Sequence, residues 1–115
     1  MVHFYGFLLD PDWLLELGTK KGLGSCRTSI ARECLKSRTA MKLLIEAHAD
    51  EWCTVENVTL QNGKHYWCIA LASTDPRRTV YTYPKNMPPQ KLVDEMKAFL
   101  KKPEDIQAMW WKGTL

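Results

Sequence analysis

Residues 52–74 read WCTVENVTLQNGKHYWCIALAST, two β-rich runs on either side of Asn62-Gly63. Asn-Gly between such runs is the strongest short-range hairpin signal, because a two-residue type I′ turn needs positive φ at both central positions. That turn sets a register in which Gln61 faces Lys64, Leu60 faces His65, Val58 faces Trp67, Val55 faces Ala70 and Cys53 faces Ala72. Alternation then places His65, Trp67, Ile69 and Leu71 on one face of the second strand, and Tyr66, Cys68, Ala70 and Ala72 on the other. One face is bulky and the other small, and both are apolar near the middle. A strand of that kind is expected at the centre of a sheet, covered on both sides, with a helix close against the small face.

Asp75-Pro76 breaks the run, and Arg77-Arg78 read as a turn. Residues 79–83 then predict a third, antiparallel strand ended by Pro84, with Tyr81 and Tyr83 beside Ala72 and Ala70. At the other end, residues 2–9 are aromatic and branched and predict a further strand. Asp10 is placed as an N-cap, Pro11 occupies the first helical position, and Gly18 is expected to close a short helix. Residues 18–25 form a glycine-rich loop. A long helix is predicted from Thr28 or Ser29 to about Ala49, with Ile30, Cys34, Met41, Leu44, Ile45 and His48 as its apolar stripe. Residues 89–102 predict a helix with Leu92, Val93, Met96, Phe99 and Leu100 inward and Lys101 and Lys102 at its negative end. Pro103 is expected to start a last helix that ends at Lys112-Gly113 and carries Met109, Trp110 and Trp111.

The chain has 115 residues, a net charge of +3 and no low-complexity segment, which fits one α+β domain over residues 1–115. The expected architecture is an antiparallel sheet of three to four strands with one long helix and two C-terminal helices packed on it. The opening lacks a basic leader, and no apolar run is long enough to span a bilayer, so an intracellular, cytoplasmic setting is expected. Cys26, Cys34, Cys53 and Cys68 lack paired metal-ligand spacing and are expected to stay reduced. Neither metal nor cofactor is expected.

Four features could carry function. In the glycine loop, Lys20, Lys21, Gly22, Gly24, Ser25 and Arg27 precede a helix start, where amide groups and charge suit an anion. The plainer reading is a solvated connector, because the Walker spacing is absent. The C-x5-R spacing of Cys26 and Arg32 resembles the signature of cysteine-dependent phosphatases. That resemblance implies Cys26 as nucleophile and Arg32 as phosphate clamp. It departs from the signature at Ser25, at Glu33 and in lacking an internal glycine. Basic residues from Arg27 to Lys42 offer a nucleic-acid footprint, against the commoner reading of a solvated helix face. Finally, Trp110 and Trp111 are adjacent, and a helix cannot point both the same way, so one indole is expected outside. Exposed aromatic residues anchor other chains, whereas a buried pair would only fill the core. His3, His48 and His65 show no ligand spacing.

The opening His3-Phe4-Tyr5-Gly6-Phe7-Leu8-Leu9, followed by Asp12-Trp13-Leu14, resembles the start of a group of small uncharacterised fungal proteins of unknown function. The resemblance covers the first quarter of the chain and implies no activity. The leading expectation is a non-catalytic domain that binds a protein partner or itself as a homodimer, through Met109, Trp110 and Trp111. Its rivals are a phosphoester or anion handler at residues 18–32 and a nucleic-acid binder on the basic helix.

Overall fold

Gly63 sits at the hairpin tip with φ of +81°, while Asn62 keeps a negative φ. The Gly63 N–H donates to the Leu60 carbonyl at 2.9 Å, and the Leu60 N–H donates to the Lys64 carbonyl at 2.9 Å. The loop therefore spans residues 61–63, an ordinary turn followed by a glycine bulge, and not the two-residue type I′ turn expected from Asn-Gly. The added residue slips the register by one: Thr59 pairs with His65, Val58 with Tyr66, Val55 with Ile69 and Thr54 with Ala70. Nothing lies within 4 Å of a Cβ built on Gly63. Gly63→Ala is thus expected to cost about 1 kcal/mol, the backbone penalty alone, read as a small fall in urea midpoint.

The computed structural model describes residues 2–77, 80–83, 86–102 and 106–114. In chain order the elements are β1 (His3–Leu9), α1 (Pro11–Lys20), α2 (Ser29–Glu46), β2 (Thr54–Thr59), β3 (His65–Ser73), β4 (Tyr81–Thr82), α3 (Gln90–Phe99) and β5 (Met109–Lys112). The fold is α+β. Its five-stranded sheet has the order β2-β3-β1-β5, with β4 also on β3. β3 is central, as expected, because β1 lies antiparallel along one flank and β2 along the other.

Two expected elements are corrected. β4 runs parallel to β3, with Tyr81 beside Ala72 and Thr82 beside Ser73. β2 leaves β3 at Ala70, so the flank beyond it is open to β4. The chain turns there through Asp75, whose carboxylate accepts from the Arg77 backbone N at 3.0 Å and from Arg77 Nε at 3.1 Å. The expected last helix is also overturned over residues 109–112, which form strand β5 on β1. Its expected start at Pro103 lies outside the described residues, as do Arg78, Thr79 and Pro84.

The sheet curls. Just past β5, Gly113 bridges to Val58 of β2, and the Thr114 N–H donates to the Asn57 carbonyl at 2.9 Å. Phe4, Val58, Cys68 and Ala70 are buried on the inner face, with Leu8, Tyr66 and Trp111 packed against them. The small side chains of β3 therefore face the inside of the curl, not a helix. Strands bent toward one another leave little room on the concave side. The helices take the bulky face instead, where Leu14 of α1, Leu43 and Leu44 of α2 and Val93 and Met96 of α3 cover Phe7, Leu9, Ile69 and Leu71. Each such side chain contributes about 1.5–3 kcal/mol by leaving water.

α1 is capped by Asp10, whose side chain accepts from the Asp12 N–H, with Pro11 opening the helix as expected. It runs on past Gly18, which is buried against α2: a Cβ there would lie 2.2 Å from Thr39 Oγ1. α2 begins after its N-cap Thr28 as expected, but it turns a different face to the core, one that keeps Leu44 of the expected stripe. Leu35, Thr39, Ala40, Leu43 and Leu44 are buried, whereas Ile30 (76% exposed), Cys34, Met41 and Ile45 face outward. Small Thr39 and Ala40 let α1 and the sheet come close, which the larger Ile30 and Met41 would prevent.

Candidate functional site

β5 pairs antiparallel with β1, placing Trp111 opposite Phe4, Trp110 opposite Tyr5 and Met109 opposite Gly6. Strand alternation sends the adjacent indoles to opposite faces. Trp111 turns into the curl and its Nε1–H donates to the Gly6 carbonyl at 3.0 Å, so it is part of the structure. Trp110 stands on the other face with its ring 5.3 Å from Tyr5 and 5.1 Å from Tyr83. Met109 is 54% exposed.

The Gly113 N–H donates to the Val2 carbonyl at 2.9 Å. Since bonding alternates along an antiparallel ladder, the main-chain groups of Met109 and Trp111 face β1, and those of Trp110 and Lys112 face away. β5 touches β2 at Gly113 and Thr114, and then the two edges part. Between them lies a slot of about 900 Å³, with Met109, Trp110, Trp111 and Lys112 on one side and Thr59, Leu60, Gln61 and Asn62 of the hairpin on the other.

A comparison with family models, curated proteins and solved structures finds no match to this chain. Function has to be read from the side chains in place.

The glycine loop holds itself together. Lys21 pairs with Glu46 at 2.9 Å. Gly22, at φ +69°, follows the end of α1, where the Lys21 N–H donates to Leu17 and the Leu23 N–H to Gly18, each at 3.0 Å. Lys20, Gly24, Ser25 and Arg27 are exposed. Cys26 is exposed, with its Sγ 3.6 Å from Thr19 Oγ1. Arg32 does return to Cys26, but its Nη1 donates to the Cys26 carbonyl at 3.1 Å, not to the thiol. Further along α2, Lys36 pairs with Glu33 at 2.6 Å, and Arg38 donates to the Leu23 carbonyl at 3.2 Å. Three of the basic side chains on that helix are therefore engaged with the chain's own oxygens. Among the described residues, no group of three or more His, Cys, Asp or Glu could hold a metal ion, and no helix is long and apolar enough to cross a membrane.

A second hollow, of about 650 Å³, lies where Asp10 and Asp12 of the α1 start, Glu33 and Lys36 of α2, and His65 of β3 converge. Sequence reasoning gave His65 no partner, but the structure gives it a chain of them. Thr114 Oγ1 donates to Asn57 Oδ1 at 2.9 Å, Thr59 Oγ1 lies 2.8 Å from Thr114 Oγ1, and His65 Nδ1 lies 3.2 Å from Thr59 Oγ1. Each hydroxyl has one proton, so Thr59 donates to Thr114 and accepts from Nδ1–H, which leaves Nε2 as the basic nitrogen. The only sequence signal for this set is the β-pairing itself. His48 is exposed at φ 55° just past α2, away from the core stripe assigned to it.

Proposed function

We propose that this chain is a non-catalytic interaction domain that takes an extended segment of a protein partner along the outer edge of β5. The observation that carries the reading is the parting of two strand edges beyond the Gly113–Val58 bridge, which leaves the outward main-chain groups of Trp110 and the Lys112 N–H beside exposed Met109. Strand addition supplies affinity from main-chain bonds and specificity from alternate side chains. The hairpin tip bounds the far side, so a single extended strand suits the space better than the edge of a second folded copy. A homodimer through the same residues is the competing occupant.

Lys112→Pro removes the outward N–H without touching the β1 ladder. Heptapeptides selected from a random display library against the domain are expected to bind Lys112→Pro at least about tenfold more weakly, the loss of one or two main-chain bonds. On binding they should slow hydrogen exchange at Trp110 and Lys112. Selected peptides that bind wild type and Lys112→Pro alike would sink the reading. Light scattering that finds a wild-type dimer and a monomeric Lys112→Pro would make a second copy the occupant.

A further inference from the structure

A third hollow lies on the other side of β5 and does not rest on the reading above. It has a volume of about 600 Å³ and is walled by Phe7 and Leu8 of β1, Ile106, Met109 and Trp111. Among the described residues that line it, Lys102 carries the only charge. Gln107 is the other polar residue of the wall, and a concave, mostly apolar site of several hundred Å³ with a few polar groups is the usual form of a small-molecule site.

The placement of Lys102 is built into the end of α3. Lys101 adopts φ 56°, a left-handed conformation that residues other than glycine rarely enter. The Lys102 N–H closes back onto the Lys97 carbonyl at 3.1 Å. That reversal turns the Lys102 side chain toward β1, where Nζ donates to the Leu8 carbonyl at 2.9 Å. Burial pushes the Lys102 amine below its ordinary pKa, against the pull of Asp10. One N–H is used on Leu8, and an ammonium has three donors. Around it, Ile106 is 42% exposed and Met109 54% exposed, so apolar side chains at the mouth of the hollow lie open to water.

We infer that this hollow binds a small amphiphile, an apolar chain or ring ended by a carboxylate, with the carboxylate accepting from Lys102 Nζ and the apolar part lying on Leu8, Ile106, Met109 and Trp111. A single amine suits a monoanion, whereas a phosphate dianion is usually held by several charged donors, and Lys102 is the one cation among the described residues of the wall. The carboxylate supplies the counter-charge that the half-buried amine wants, and the tail covers the exposed apolar mouth.

Decanoate, decanol and decyltrimethylammonium are the probes, each titrated below its micellar concentration and followed by calorimetry and saturation-transfer NMR. Wild type is expected to bind decanoate saturably, and to bind decanol and the cation at least about tenfold more weakly, the share of one charge-assisted bond. Lys102→Met keeps the apolar stem and removes the charge, so it should bring decanoate down to the level of decanol. Ile106→Glu, at an exposed position, should abolish binding of decanoate while circular dichroism shows the fold intact. The inference is overturned if decanoate fails to saturate by about 1 mM, if decanol binds as well as decanoate, or if Ile106→Glu binds as wild type does. Lys112→Pro leaves this hollow untouched, so the loss of peptide binding and the loss of carboxylate binding are read separately.

Discussion

Gly6→Ala is expected to leave the chain unfolded at ordinary temperature. A Cβ at this position would lie 1.8 Å from the Ile69 carbonyl oxygen, 2.9 Å from its carbon and 3.2 Å from the Ala70 Cα, all backbone of the central strand. The close approach comes from a bulge: Tyr5 pairs with Ala72 and Gly6 with Ala70, so β3 carries one extra residue there. A flexible side chain could move aside, but the middle of a sheet cannot. The Gly6 carbonyl also receives the Trp111 indole N–H at 3.0 Å, so displacing β1 at this point disturbs β5 as well. A loss above about 4 kcal/mol is the expected scale, and domains of this size have only about 5–15 kcal/mol in total. Circular dichroism and urea unfolding of Gly6→Ala beside the mild Gly63→Ala provide the check. A Gly6→Ala midpoint equal to that of wild type would show that the β1–β3 register is wrong.

The second large effect is alkaline unfolding driven by two thiols. Burial pushes the Cys53 thiol from 9.0 up to about 12. It pushes Cys68 higher still, helped by the negative charge of Glu56 on the paired strand. Above pH 9 the unfolded chain releases these protons and the native chain keeps them. The native state then binds more protons, so stability falls as pH rises. Each thiol contributes about 1.4 kcal/mol per pH unit, so the two together reach on the order of 5 kcal/mol by pH 11. Lys102 works in the opposite sense. Its lowered pKa means that the unfolded chain holds the extra proton up to 10.5, so its burial cost is relieved as pH rises, offsetting part of one thiol. Urea midpoints measured from pH 7 to 11 should fall steeply above 9, and Cys53→Ala should roughly halve that slope. A flat profile across this range would mean that the thiols are not buried in the native state.

What the sequence made legible is what is settled within a few residues. Asp10-Pro11 and Thr28-Ser29 announce their helix starts through capping chemistry, and both caps form. The hairpin is legible as well, but not its register. Asn62-Gly63 fits a two-residue turn, and also a three-residue loop in which only the glycine needs positive φ. The two differ by one residue, enough to change every cross-strand partner. β5 was hidden for a different reason. Its partner, β1, lies at the other end of the chain, and Pro103-Glu104 upstream is a sound local signal for a helix. α2 carries two apolar stripes, and periodicity alone cannot rank them. Leu35, Leu43 and Leu44 face the core because Thr39 and Ala40 beside them permit close packing, which leaves Ile30, Met41 and Ile45 outside. Lys102 reads as a cation complementing a helix end. Its role beside Leu8 depends on the left-handed turn at Lys101, which lacks the glycine that would have signalled it.

The position of β1 between β3 and β5 governs the order of events at the ribosome. Leu9 pairs with Trp67, and His3 pairs with Lys112. β1 is made before both of its neighbours and thus waits, with Phe4 and Phe7 unsheltered, until the hairpin has emerged, and it gains its second neighbour only when residues 109–112 follow. Such long-range pairing slows folding and keeps a sticky nascent segment exposed. A chaperone that shields apolar strands is therefore expected to hold the growing chain until Trp111 arrives to cover Phe4.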